Sequence, residues 1–295
     1  MNMEKKKEKA IALFFTVNGA LVILILCGIF YLLLSNSFLA WRDVGVLSFL
    51  TGRVWNPTGF YAASYGILPM LSGTLMVTAG ATVIAVPLGV ACAAYLAEVA
   101  SPWEREIIKP VVELLAGVPS VVIGFFGLVV LNRLIAGVFG LPNGLSALNG
   151  SLLLALMALP TIISIAEDAL TAVPREYKEA SLALGASRWQ TLRHVIFPAA
   201  ASGVSAGIML GMGRAIGETM TVIMATGNAI AWPRSMFQSV RTMTATIAIE
   251  LGEVAFNTTH YYALFAVGFV LFGITFVISM LADIFLHRAS EVSRR

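Results

Sequence analysis

The sequence predicts an all-α fold, a polytopic transmembrane helical bundle of about six spans. Three observations carry that expectation. The 295 residues are 58% hydrophobic and 12% charged, with a mean hydropathy of +0.87, far outside the range of soluble domains. Apolar runs long enough to cross a bilayer, which takes ~20 residues, recur along most of the chain. Basic residues concentrate on alternate connections between those runs.

In chain order the runs cover residues 10–35, 71–97, 114–132, 145–166, 195–228 and 261–286. The first follows Lys5, Lys6, Lys7 and Lys9, as a secretory signal would, but it outlasts the ~7–15 apolar residues of a signal core. The second, third and fourth carry Pro87, Pro119 and Pro160, each expected to free a carbonyl and bend its helix. Arg214 and Glu218 interrupt the fifth run, and Asp283 the sixth. Residues 36–70 place Trp41, Trp55, Tyr61 and Tyr65 among polar groups, the composition of an interfacial anchor. Residues 235–256 set Met236, Phe237, Val240, Met243, Ile247 and Leu251 near helical spacing, but with Arg241, Glu250 and Glu253 among them. Too polar to span alone, this stretch is expected to form an outer-surface or re-entrant helix covered by the bundle.

An even number of spans puts both termini on one side. Lys5, Lys6, Lys7, Lys9, Arg105, Lys109, Arg175, Lys178, Arg188, Arg193, Arg288, Arg294 and Arg295 share that side, against Arg42, Arg53, Arg133, Arg234 and Arg241 opposite. The richer side is therefore expected to be cytoplasmic. The organisation that follows is a basic cytoplasmic tail (1–9), one transmembrane domain (10–286) and a second cytoplasmic tail (287–295). The net charge of +3 and pI near 8.9 record this asymmetry and carry no nucleic-acid signal.

Little in the chain suggests covalent chemistry. Cys27 and Cys92 sit inside apolar runs, and His194, His260 and His287 are scattered over boundaries, so no disulfide, metal or cofactor framework is visible. No Gly-x-x-x-x-Gly-Lys-Ser/Thr loop and no potassium-selective filter sequence occur. Of the remaining charges, Glu113 is expected to pair with Lys109 four residues before it. Glu167 and Asp168 are expected to be solvated at a helix end, and Asp283 to snorkel or pair with Arg288.

The fifth run is more informative. Gly203, Gly207, Gly211 and Ala215 recur every four residues, leaving a bare helix face on which a neighbour can pack closely. Arg214 and Glu218 follow Gly207 and Gly211 by seven residues, almost two turns, and are expected to point into the bundle with them. An arginine at mid-span costs ~2.5–3.5 kcal/mol on insertion scales, so it requires a partner. Either it pairs with Glu218 at i, i+4, or the two form a polar waypoint for an anion. Guanidinium matches phosphate oxygens bidentately, and the carboxylate can accept the proton phosphate still carries near neutral pH. The residues alone leave both readings open.

Just before that run, residues 175–198 form a charged stretch wedged between apolar segments. It contains Glu179, Ala180 and Ser181, then Gly185 and Ala186, then Val195, Phe197 and Pro198. This resembles the EAA signature of ABC importer permeases, Glu-Ala-Ala-x3-Gly-x9-Ile-x-Leu-Pro, with Ser181, Val195 and Phe197 as conservative departures. Glu-Leu-Leu-Ala-Gly-Val-Pro-Ser (113–120), Gly-Phe-Phe-Gly-Leu (124–128) and Gly-Arg-Ala-Ile-Gly-Glu-Thr-Met (213–220) with Gly227 and Asn228 resemble the phosphate-specific permeases. Glu-Thr-Met followed by Gly-Asn is more similar to their C-type subunit, PstC, than to the A-type, PstA.

The resemblance implies a type I ABC importer permease, a transport subunit rather than an enzyme, in the bacterial inner membrane. Its helix-turn-helix around Glu179, Ala180, Ser181, Gly185, Ala186 and Pro198 would seat in a cytoplasmic ATPase. The implied partners are a second, PstA-like permease, a PstB-like ATPase dimer, an external PstS-like phosphate-binding protein and membrane lipids. Arg214 and Glu218 would lie on the phosphate path. A permease for molybdate or sulfate is the nearest competitor within the class, and a stand-alone channel or secondary carrier outside it. The orientation is testable by reporters fused after residue 295. Green fluorescent protein is expected to fluoresce there and alkaline phosphatase to stay inactive; the reverse pattern would overturn it.

Overall fold

The computed structural model describes residues 2–59 and 62–292. Tyr61, Arg294 and Arg295 lie outside the described residues, as do the side chains of Lys5, Lys6, Asp283, His287 and Arg288. The described chain is almost wholly helical. A long first helix, α1 (Asn2–Val44), leads through α2 (Val46–Thr51) to a small antiparallel hairpin of β1 (Trp55–Asn56) and β2 (Ser64–Tyr65). Then come α3 (Leu68–Glu98), α4 (Pro102–Ala116), α5 (Ser120–Phe126), α6 (Asn132–Phe139) and α7 (Ala147–Thr171). The second half contains α8 (Arg175–Ala183), α9 (Arg188–Thr191), α10 (Phe197–Gly217), α11 (Met220–Ala225), α12 (Met243–Glu250) and α13 (Thr259–Val292).

Among the described residues six helical stretches are long and apolar enough to cross a membrane. They are Lys7–Val44, Leu68–Glu98, Ser120–Phe139, Ala147–Thr171, Arg188–Gly217 and Thr259–Met280. At the centre is α7: 61% of its apolar window is buried, against none of that in α1. Small residues explain why α7 can be enclosed. Val77, Ala81 and Ala85 of α3, Leu154, Ala155 and Ala158 of α7, and Ala215 of α10 share one core cluster. A Cβ added at Gly211 would approach Ile162 Cγ1 to 2.6 Å, so the glycine ladder is filled by α7 itself. A second cluster joins α1, the hairpin and α13 through Ala40, Phe49, Trp55, Ile67, Met243 and Leu264.

Span boundaries differ from expectation where the backbone turns. The third run does not begin at residue 114: α4 ends at Ala116, and Pro119, in extended conformation (ψ 136°), starts a new helix. Pro119 therefore breaks a helix, whereas Pro87 and Pro160 lie within continuous ones. The fifth run stops at Gly217, because Glu218 adopts φ −67°, ψ 134°. The stretch 235–256 is helical only over Met243–Glu250, with Thr242 capping that helix by accepting from Ala245 N at 3.2 Å. It packs against the bundle, where Thr74 Oγ1 accepts from Met243 N at 2.9 Å, consistent with a re-entrant segment. Trp55 is only 3% exposed and stacks edge-on with Tyr65, so this pair is core rather than a membrane anchor.

Two charge expectations are corrected. Lys109 pairs with Glu167 at 2.5 Å and Asp168 at 3.2 Å, not with Glu113. Glu167 is 3% exposed rather than solvated, and Thr171 Oγ1 donates to it at 3.4 Å. Its hydrogen bond holds the Lys109 ammonium above the ordinary lysine range. The pairing crosses fifty-eight residues of sequence, which an i, i+4 rule cannot reach. Lys109→Met strands a buried carboxylate and is expected to destabilise the protein by roughly 2 kcal/mol, less than for a fully buried pair because Lys109 is partly solvated. Adding Glu167→Leu should recover most of that loss in thermal-shift measurements; additive losses would show that the two do not act as a pair.

Candidate functional site: the coupling turn and the break after the fifth span

At the end of α7, Pro174 sits in extended conformation (ψ 136°) and launches α8, so the charged stretch begins as a separate short helix. The helix terminates in a left-handed glycine. Gly185 has φ +86°, its N–H bonds the Leu182 carbonyl at 3.0 Å, and the Ala186 N–H bonds the Ser181 carbonyl at 3.2 Å. Orphan carbonyls at the helix end are thereby satisfied as glycine-terminated helices require. Ser187 then caps α9 in a reciprocal box with Gln190, whose side chain accepts from Ser187 N at 2.7 Å. That Ser-x-x-Gln signal was legible in the sequence.

The expected coupling residues are thus assembled into one turn. Ser181 Oγ lies 2.9 Å from Thr191 Oγ1 and pins α8 to α9. Glu179, Ala180 and Gly185 are exposed, Ala186 is half-buried, and no atom stands within 4 Å of a Cβ built on Gly185. Exposed apolar side chains flank them: Tyr177, Trp189 and Leu184, the last 90% exposed. Lys178 pairs with Glu98, and Arg105 Nη2 donates to the Ala97 carbonyl at 3.0 Å, fastening the turn and α4 to the end of α3. Glu98, Arg105, Arg175, Lys178 and Glu179 border a cleft of roughly 420 Å³ beneath the turn. The Lys178 pairing spans eighty residues and had no local signal.

Pro198 stands in the first turn of α10, where its missing N–H costs little. The helix is continuous from Arg188 to Gly217, and one π-helical turn, Leu192–Ile196, precedes the proline. Within that turn the Phe197 N–H reaches back to the Leu192 carbonyl, and the wider winding accommodates a ring that would otherwise clash with the preceding turn.

At the far end of this helix the expectation for Arg214 and Glu218 is corrected in two respects. Arg214 is exposed on the surface of the chain, not turned into its own bundle. The ladder faces α7, and at the last turn the buried arc centres on Ala215 and Ile216, leaving Gly213, Arg214 and Gly217 open. The i, i+4 pair is also absent, because helical geometry ends before Glu218. Its carboxylate Oε1 accepts from Thr221 N at 3.2 Å, and its carbonyl accepts from Thr244 Oγ1 at 2.9 Å. Arg214 makes no ion pair among the described residues. Arg214 also stands in the last turn of its helix rather than at mid-span, and an exposed guanidinium on a spanning helix calls for protein or water as cover. Chemically, it is an available bidentate donor beside a break in a spanning helix.

Comparison with known proteins places the chain in a family. The family described as binding-protein-dependent transport system inner membrane component matches residues 85–291. A probable ABC transporter permease protein YqgH of Bacillus subtilis (strain 168) is 41% identical over 246 residues, covering 83% of this chain and 79% of the relative. A phosphate transport system permease protein PstC of Mesorhizobium japonicum is 37% identical over 287 residues, covering 91% and 86%. Among solved structures, a bacterial ABC transporter involved in alginate import superposes with a TM-score of 0.66 at 14% identity, over 96% of this chain and 98% of that one. The MetNI methionine ABC transporter, in an inward facing form, gives a TM-score of 0.56 at 20% identity over 76% and 94%. With the family model matching residues 85–291 and relatives such as PstC of Mesorhizobium japonicum 37% identical over 91% of its length, the chain belongs to the inner membrane components of binding-protein-dependent transport systems.

Proposed function

We propose that this chain is one membrane half of an ATP-driven importer of inorganic phosphate, a transport subunit with no catalytic chemistry of its own. Similarity to phosphate permeases over most of the chain supports the substrate. The observation that carries the mechanism is a single continuous helix, Arg188–Gly217, with the exposed coupling turn at one end and exposed Arg214 at the other. A cytoplasmic ATPase pair, PstB-like, would grip the turn formed by Glu179, Ala180, Ser181, Gly185 and Ala186, seating exposed Leu184 and Trp189 in a groove. A second, PstA-like permease would cover the open face around Gly213, Arg214 and Gly217, keeping the guanidinium away from lipid. An external PstS-like protein would deliver phosphate from the opposite side.

Within that assembly Arg214 would donate bidentately to phosphate oxygens, while Glu218 at the helix break would favour a protonated oxyanion. Closure of the ATPase would move the turn. The helix from α9 to α10 would then carry that displacement to Arg214 and alternate access between the two sides. Residues 1–9 and 287–295 would lie in the cytoplasm.

Two substitutions separate these roles. Gly185→Trp forces a side chain into a left-handed conformation, at about 1–2 kcal/mol of strain, on the docking face. The protein is expected to insert normally but to lose the ATPase on co-purification; retained ATPase with normal uptake would overturn the docking role. Arg214→Gln breaks no contact within the chain, so assembly should persist while phosphate uptake by the reconstituted complex falls to background. Uptake of sulfate or molybdate in preference to phosphate by the wild type would reassign the substrate.

A further inference from the structure

On the side opposite the coupling turn, four separated elements converge on one carboxylate. Glu250, the last residue of α12, receives Arg241 Nη1 at 2.8 Å and His260 Nε2 at 2.8 Å. Trp55 Nε1 donates to both of its oxygens, at 3.0 and 3.2 Å. The group is largely enclosed: the Arg241 and Glu250 side chains are each 16% exposed and that of His260 18%. Arg241 also holds the loop after α11, through Nε to the Asn228 carbonyl at 3.1 Å. The hairpin, the re-entrant segment, α12 and the start of α13 are thereby locked together.

The opposite end of α12 reaches the candidate path. Thr244 Oγ1 donates to the Glu218 carbonyl at the point where the fifth span stops being helical. Thr242 and Met243, at the entry to α12, are buried, and Met243 N is fixed to Thr74 of α3. Eight residues, about 12 Å of helix, therefore connect the outer charge cluster to the backbone of Glu218. A short helix tied at both ends transmits a displacement of either end.

We infer that Glu250 is a positioning residue for transport, with α12 acting as a strut that sets the Glu218 break. Facing a carboxylate, which only accepts, His260 Nε2 is the donor in that contact. Arg241 and His260 thus hold the two oxygens of Glu250 from different elements, and Glu253 borders the same cleft. The Tyr65 ring stands 6.5 Å from that of His260, and on the α1 side Asp43 accepts from the adjacent Thr259 Oγ1 at 2.9 Å.

The uptake arm rests on the phosphate-import reading; the stability arm does not. In proteoliposomes of the complete complex, Glu250→Gln is expected to lower the maximal rate of uptake about tenfold, the loss of one charge-assisted hydrogen bond, with half-saturation by phosphate unchanged and no further effect of adding His260→Gln; wild-type uptake or additive losses overturn it. Thr244→Val, which cuts the strut at its other end, should slow uptake with the outer cluster intact; normal uptake overturns the strut. If the wild-type complex imports no phosphate, the functional reading fails, and melting temperature decides the cluster. Glu250→Gln and His260→Gln should each melt about 2–4 °C below the wild type and the double variant no lower than the less stable single one; additive losses overturn the cluster.

Discussion

Close backbone packing around α7 is the constraint on which the remaining structure depends. In an apolar solvent there is no hydrophobic gain from bringing helices together, so association relies on dispersion contacts and shape. Alanine and glycine at Ala81, Ala85, Ala155, Ala158, Gly207 and Gly211 let α3 and α10 approach α7 closely. Once α7 is fixed, its C-terminal end anchors α4 through Lys109 and Glu167 and leads into the turn launched at Pro174. Its N-terminal end places Ser146 and Ala147 against α11 and the loop after it, where their N–H groups bond the Ala225 and Gln238 carbonyls at 3.2 and 2.9 Å.

From that centre, one element carries both the exposed turn and exposed Arg214. The thirty residues of Arg188–Gly217 form a rod of about 45 Å, long enough to cross the bilayer with its coupling end exposed. Regular hydrogen bonding makes such a rod stiff. Its one irregularity, the π-helical turn at Leu192–Ile196, lies next to the coupling turn rather than beside Arg214. Flexure is thus placed where the ATPase would push, and the end bearing the guanidinium moves with the packed body. Beyond Gly217 the backbone leaves helical geometry, and Glu218 is held there from two sides: Thr221 N donates to its carboxylate and Thr244 Oγ1 to its carbonyl. Irregular backbone in a spanning bundle needs such protein partners where water is scarce.

Local signals and distant pairings differed sharply in how legible they were. Six apolar runs anticipated the six spans because burial in lipid imposes composition on every residue of a segment. Gly185 marked the turn because few residue types adopt a left-handed backbone, and the family resemblance implied the helix-turn-helix around it. The charged residues were misjudged wherever their partners came from elsewhere in the chain. Glu167 reads as a solvated helix end until Lys109 is brought to it by the packing of α4. Trp55 reads as a membrane anchor until Glu250, some two hundred positions later, receives its indole N–H. Arg214 failed for a related reason: helical periodicity fixes direction about the axis but not which neighbour covers each side.

The sequence alone determined class and span number, which follow from composition, and through its family resemblance it pointed to the turn at Gly185. The tertiary structure decided the rest: that Arg214 is open while its adjacent ladder is filled, that Glu218 leaves the helix, and that Glu250 gathers Arg241, His260 and Trp55. Periodicity is a property of a single helix, whereas exposure and charge pairing are properties of the space between helices. That space exists only after α3, α7 and α10 have packed.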